Sequence, residues 1–349
     1  MNSSLALLLA QDGLTTGIIY ALLSLSILLV FLVTRILWVP AGEFVAFGAL
    51  TMGVLQRGAV PGTVWMLVGL GAITFVWESV RAHKARRPIN WLMLGVLCIG
   101  APIAIAGIVV VVAPLNPPVF VRALLALMIV APLGPMIYRT AFAGLSGATI
   151  LILLFVAVAI HYTLTGLGLV FFGPDGMRTE PFIPGRFDIG ITRVSWNLVL
   201  VLGIAILLTV ALFFFFEKTY RGKAMRAVAF NRAGARLVGI NPEATGTIAF
   251  GIAGLIGALT GILIAPVTAV YYDSGFLIGL RGFVGVVLGG LTSFLTAIGG
   301  SVLVGLIESY ASYFASAYKE AIIFSLLIPI LLWRSLLERS RRPLMDEAE

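Results

Sequence analysis

The chain has 349 residues, of which 60% are hydrophobic and 11% charged. A soluble domain carries roughly a quarter charged residues, so this composition excludes a globular core and makes lipid the solvent. The net charge of +8 does not point to nucleic acid, because the basic residues cluster in loops between apolar runs, as they do on the cytoplasmic side of membrane proteins. Cys98 is the single cysteine, which excludes a disulfide framework or a thiolate metal site within one chain. The fold class expected is all-α, a polytopic helical bundle.

Residues 1–12 lack Lys and Arg, which places the N-terminus outside. A first span is expected over 14–33, retained rather than cleaved because no basic residue precedes it. Pro40 and Gly42 break the chain before a second span ending near 55, and Glu43 stands at its mouth. A third span over 63–80 leads to the basic loop 81–87, with Arg81, Lys84, Arg86 and Arg87. Spans over 91–113, 121–138 and 149–172 follow. Residues 173–193 form a polar outer segment of mixed charge, and a seventh span is expected over 194–216.

The stretch 217–245 is the longest patterned soluble segment. Its first twenty positions hold Lys218, Arg221, Lys223, Arg226, Arg232 and Arg236 against Glu217 alone, and it stops at Gly239-Ile240-Asn241-Pro242. A helix over 223–238 with a weak, Ala-rich apolar side suits a shallow groove on a soluble partner. The bland alternative is a basic loop lying on anionic headgroups. An eighth span over 246–270 carries Gly246, Gly251, Gly254, Gly257 and Gly261 on one broad face, open to close backbone approach. Residues 282–291, interrupted at Gly289-Gly290, read as a broken or half helix. Spans over 298–314 and 320–333 complete about eleven crossings. The basic tail 334–342 then lies in the cytoplasm, and Arg57, Arg281 and Lys319 are isolated charges on the outer side.

No phosphate loop is present, since Arg221-Gly222-Lys223 lacks the upstream glycine, and no metal-ligand spacing occurs. His161 reads as a satisfied buried histidine and His83 as a solvated one. Glu43 and Glu308 fall in or beside apolar runs, where an ionised group costs about 3 kcal/mol or more. Glu43 is read equally as a helix-start charge favoured by the dipole and as a pathway residue. Glu308 is read as a hydrogen-bonded contact between helices or a pathway group.

Taken together, these motifs resemble the permease subunits of ABC importers for branched-chain amino acids, with relatives that move urea, amides or organic acids. Gly13 through Leu22 resembles the family's opening G-x-x-Y-A-L run, Gly42-Glu43 its Gly-Glu position, and Phe172-Gly173-Pro174-Asp175 its outer turn. Thr219, Gly222, Ala224, Arg226, Ala227, Gly239, Ile240 and Asn241 resemble its coupling loop. Leu288-Gly289-Gly290, Gly299-Gly300 and Gly305 to Glu308 resemble its closing pattern. Trp38-Val39-Pro40-Ala41 departs from the usual N-F-A-H/Q, and 63–118 looks like an inserted pair of spans.

The resemblance implies a permease of the bacterial inner membrane working by alternating access on branched-chain amino acids or a related small polar solute. Its implied partners are two ATP-binding cassette subunits, a second permease, a periplasmic binding protein and membrane lipid. No cofactor and no catalytic residue is expected in this chain. Implied coupling residues are Gly222, Lys223, Arg226, Ala227, Asn231, Arg232, Gly239, Ile240 and Asn241. Implied pathway residues are Gly42, Glu43, Gly289, Gly290 and Glu308. A passive channel or a membrane-embedded enzyme are the alternatives.

Overall fold

A computed structural model describes residues 3–85, 90–145, 147–189, 192–291 and 293–332. The expected charges at Arg86 and Arg87, the end of the last span and the tail 334–342 lie outside them. In chain order the helices are α1 (Ser3–Thr34), α2 (Ala41–Gln56), α3 (Thr63–Ala85), α4 (Trp91–Leu115), α5 (Val119–Leu145), α6 (Ile150–Phe172), α7 (Trp196–Lys218), α8 (Tyr220–Phe230), α9 (Arg232–Leu237), α10 (Pro242–Ile264), α11 (Ser274–Gly289), α12 (Phe294–Phe314) and α13 (Lys319–Ser325). Among the described residues, eight helices are long and apolar enough to cross a membrane, which makes this an all-α polytopic membrane protein.

The bundle is built around α1. Leu22, Leu23, Leu25, Leu28, Leu29 and Val30 are all at most 1% exposed, so this helix is apolar on every side and has neighbours on every side. It packs on α12, α10 and α11. Lipid tails are as apolar as leucine, so close packing rather than water exclusion holds such helices together. Gly17 shows the means: a Cβ there would come within 2.7 Å of Val302 Cα, so any larger residue would push α12 away.

The helices α2 and α11 differ from the rest. Each has 16 residues, about 24 Å of helix against a hydrocarbon core of about 30 Å. The start of α2 lies at mid-height, because Glu43 meets His161, the midpoint of the 23-residue α6. Residues 35–40 carry the chain back from the end of α1 to this level. The first turns of α2 and α11 touch there, and a Cβ on Gly42 would overlap the backbone of Gly275 and Gly279.

Several boundaries differ from expectation. The helix expected over 282–291 begins at Ser274, and Gly290, with φ +93°, ends it rather than interrupting it. The discontinuity lies earlier, between the end of α10 at Ile264 and Ser274. There Val270 pairs with Met177 in a short antiparallel bridge. The polar segment contains a two-stranded hairpin of β1 (Arg186–Ile189) and β2 (Thr192–Ser195), with Arg186 opposite Ser195, so the next span starts at Trp196. Hydropathy alone gave no sign of this hairpin, which is short and polar. Instead of one helix over 223–238 there are two, separated at Asn231.

Candidate functional site

Two regions of the bundle gather the unusual chemistry. The first lies at its centre. The Glu43 carboxylate is fully buried, and its Oε1 is 2.8 Å from His161 Nδ1. Its Oε2 has no hydrogen-bond partner. Glu43 sits in the first turn of α2 and lies against Gly275 in the first turn of α11. Two helix N-termini therefore converge on one carboxylate, and the partial positive charge of each favours an acid at that point. Glycine at 275 is required by contact, since a Cβ would come within 2.7 Å of the Glu43 Cδ.

Beside this pair is an apolar cavity of about 260 Å³, lined by Ile27, Trp38, Val39, Val158, Phe276 and Phe283 among others. The Phe276 ring lies 5.0 Å from that of His161, and Val158 precedes His161 by one turn. Trp38 is held by rings of Phe44, Phe142 and Phe250 at 4.7–5.9 Å. The centre thus offers a greasy chamber with one buried acid–imidazole pair at its side.

The second region is the end of the bundle formed by α8 and α9. Three side chains cap three successive helices here. Thr219 accepts from Gly222 N at 3.0 Å, Asn231 from Gly234 N at 2.9 Å and Asn241 from Glu243 N at 2.9 Å. Each satisfies an amide that the helix start would leave unpaired. Gly239, at φ +83°, closes α9, with Ile240 N donating to Ala235 O at 2.9 Å. Gly222, Ala224, Met225, Val228 and Ala235 face the bundle. Tyr220, Phe230, Leu237 and Val238 point away and are 82%, 95%, 90% and 74% exposed. Lys223 and Arg226 are exposed beside them, and Ala227 and Arg232 are partly covered. Arg35 donates to Ala229 O at 3.2 Å, and Arg81 pairs with Glu243 at 2.8 Å, so these scattered basic residues share one end.

The family profile described as branched-chain amino acid transport system, permease component, matches residues 9–331. The chain belongs to this permease family. It is 27% identical over 291 residues to the high-affinity branched-chain amino acid transport system permease protein BraD of Pseudomonas aeruginosa, covering 80% of this chain and 92% of BraD. It is 32% identical over 149 residues to the corresponding permease protein LivH of Escherichia coli K12, covering 42% of this chain and 47% of LivH. A probable LivH of Methanocaldococcus jannaschii is 27% identical over 144 residues, 41% of this chain and 46% of that protein. The chain thus spans about half the length of these LivH proteins and nearly all of BraD. No solved structure matches.

In this permease the five expected pathway residues do not form one cluster. Gly42 and Glu43 belong to the central site. Gly289 lies at the far end of α11, against Thr296 and Ala297 of α12, and Gly290 ends that helix. Glu308 belongs to a separate network. Tyr20 donates to its Oε2 at 2.7 Å, Arg281 meets its Oε1 at 3.0 Å, and Arg281 also pairs with Glu320. Arg281, expected as an isolated outer charge, is instead 12% exposed and tied to two acids. The reason is its position: α11 starts inside the bundle, so a residue two turns along stays inside. His161 as the partner of Glu43, and Arg281 as that of Glu308, were not anticipated. The available signal was a lone ionisable side chain within an apolar run.

Proposed function

We propose that this permease is one half of the membrane pathway of an ATP-driven importer for branched-chain amino acids or a related small polar solute. The substrate reading rests on the names of BraD and LivH. Two ATP-hydrolysing subunits dock on α8 and α9, so hydrolysis belongs to partner chains. A second permease, identical or different, completes the pathway, and a periplasmic binding protein delivers substrate at the opposite end. The chain lies in the bacterial inner membrane with its N-terminus outside and its C-terminus in the cytoplasm. Counting α2, α11 and the α13 region as crossings gives about eleven. Helices α3 and α4, residues 63–118, are an added pair on the flank; Trp65, Trp77 and Leu92 there are more than half exposed, as a lipid-facing surface would be.

The observation that carries this reading is the row of exposed apolar side chains at Tyr220, Phe230, Leu237 and Val238. Such a cluster, beside cations and outside the apolar belt, is a protein-docking feature. Closure of the ATPases would push α8 and α9 against the feet of α7 and α10 and rock the bundle around the central site. Phe230→Asp tests it. The variant chain should fold, lose co-purification with the ATPase subunits and reduce ATP-dependent uptake by at least about tenfold, as loss of a hot spot implies. Wild-type uptake by Phe230→Asp would defeat the docking assignment.

A further inference from the structure

The end of α1 connects the docking helices directly to the central chamber. Arg35 follows the last residue of α1, and its Nη2 donates to Ala229 O at 3.2 Å. Ala229 stands one residue before the end of α8, so its carbonyl is among those that a helix terminus leaves without an intrahelical partner. A cation suits that end of the helix dipole. The Arg35 guanidinium carbon also lies 5.9 Å from the centre of the Phe31 ring, which holds it from the side of α1. The backbone at Arg35 has φ +61°, a left-handed conformation open to glycine and disfavoured for arginine. Such a conformation persists where the surroundings hold it, and it is commonest where movement or binding depends on it.

The residues that follow are the wall of the chamber. Leu37, Trp38 and Val39 line the apolar cavity of about 260 Å³. Ile36 and Trp38 are each 3% exposed, and Ile36 N donates to Thr34 Oγ1 at 3.3 Å. Trp38 is wedged among rings of α2, α5 and α10 at Phe44, Phe142 and Phe250. Ala41 N then donates to Trp38 O at 3.3 Å, and Glu43 N to Pro40 O at 3.0 Å. Residues 36–40 are therefore a short, packed strut. One end is tied to α8 through Arg35, and the other enters the turn of α2 that carries Glu43. Packed segments of this kind pass on displacement instead of absorbing it.

We propose that Arg35 is a positioning residue that passes movement of α8 to the chamber wall at 37–39, deepening the docking reading above and resting on it. A shift of the α8 end moves the Ala229 carbonyl, and with it the Arg35 side chain and the strut. The plainer reading makes Arg35 only a C-terminal cap for α8. The two differ in what happens at the chamber, since a cap alone leaves residues 36–39 indifferent to the ATPase subunits.

The test is amide hydrogen exchange on the complete complex of permease and ATPase subunits, with and without a non-hydrolysable ATP analogue. In the wild type the analogue should alter exchange both at 220–237 and at 36–39. In Arg35→Gln and Arg35→Gly the ATPase subunits should stay bound and the response at 220–237 should persist. The response at 36–39 should fall at least about fivefold, the low end of ordinary coupling between sites. Arg35→Lys, which can still donate to Ala229 O, should keep most of it. Arg35→Gly guards against misfolding, because glycine adopts φ +61° without strain. A response at 36–39 as large in both variants as in the wild type overturns the proposal. So does loss of the ATPase subunits from those variants, which would make Arg35 part of the docking surface. A wild-type complex that responds at 220–237 and not at 36–39 defeats the link alone; one that responds at neither defeats the docking reading and the link with it.

Discussion

Replacing Arg281 by Met probes the strongest electrostatic tie in the bundle. Its guanidinium touches Tyr20 Oη at 2.9 Å and Glu308 at 3.0 Å, and it pairs with Glu320. Without it, Glu308 and Glu320 remain as two acids in a largely buried place. Removing one partner of a buried pair costs about 3–5 kcal/mol. Glu308→Gln is milder, because Arg281 keeps Glu320 and Tyr20 can still donate to the amide oxygen. It forfeits one charge-assisted bond, about 1.5–3 kcal/mol. In the double variant neither charge of the Arg281–Glu308 pair remains. Its loss should therefore fall short of the sum by about 1–3 kcal/mol, the coupling of groups in one network. Hydrogen bonds between membrane helices average only about 0.6 kcal/mol, so a coupling this large marks an ion pair. Unfolding in mixed micelles, followed by far-ultraviolet circular dichroism, measures all three. Additivity within about 0.5 kcal/mol would refute the network.

The remaining predictions concern packing and caps. Gly42→Val should destabilise by at least about 1–3 kcal/mol through overpacking, because a Cβ at this position would fall within 2.7 Å of backbone atoms of Gly275 and Gly279; an unchanged melting temperature would contradict the close approach of α2 and α11. Asn231→Ala should cost about 1 kcal/mol through loss of its bond to Gly234 N, with amide exchange accelerating in α9 and not in α10. Uniform exchange across both helices would remove the capping role.

The eight long helices were legible because each crossing writes a long apolar run into the chain, as at 196–218. So was the end that collects Arg35, Arg81 and the 217–245 stretch, because charge marks loops irrespective of packing. The half helices were harder. Hydropathy sees 41–56 and 274–289 as apolar but cannot tell a helix that starts at mid-height from one that starts at a surface. That depends on what Gly42 and Gly275 touch, and each touches the other's helix across more than 230 residues of chain. The pairing of Glu43 with His161 was hidden for the same reason. Alone, His161 reads as a satisfied buried histidine and Glu43 as a helix-start charge or a pathway residue, and only the fold brings them within 2.8 Å. Met225 shows the converse: it lies among the basic residues of α8 yet is fully buried, because the helix lies against the bundle on one side.

Whether the Glu43–His161 pair serves packing or passage can be separated by charge without changing shape. Glu43→Gln keeps a hydrogen-bonding oxygen for His161 and fills the same space between α2 and α11. If the pair only joins helices, the variant loses some stability, about 1–3 kcal/mol for a weakened buried bond, and each folded molecule transports as before. If the acid is part of the route, transport per folded molecule falls while the ATPase subunits still bind, since α8 and α9 lie at the other end of α10. The geometry favours the second outcome. A buried carboxylate with one unpaired oxygen, set where two half helices meet beside an open apolar chamber, is a costly way to glue helices that glycines already bring into contact. Leucine uptake, normalised to the amount of assembled complex, decides it. Unimpaired uptake in Glu43→Gln would return the pair to a purely structural role.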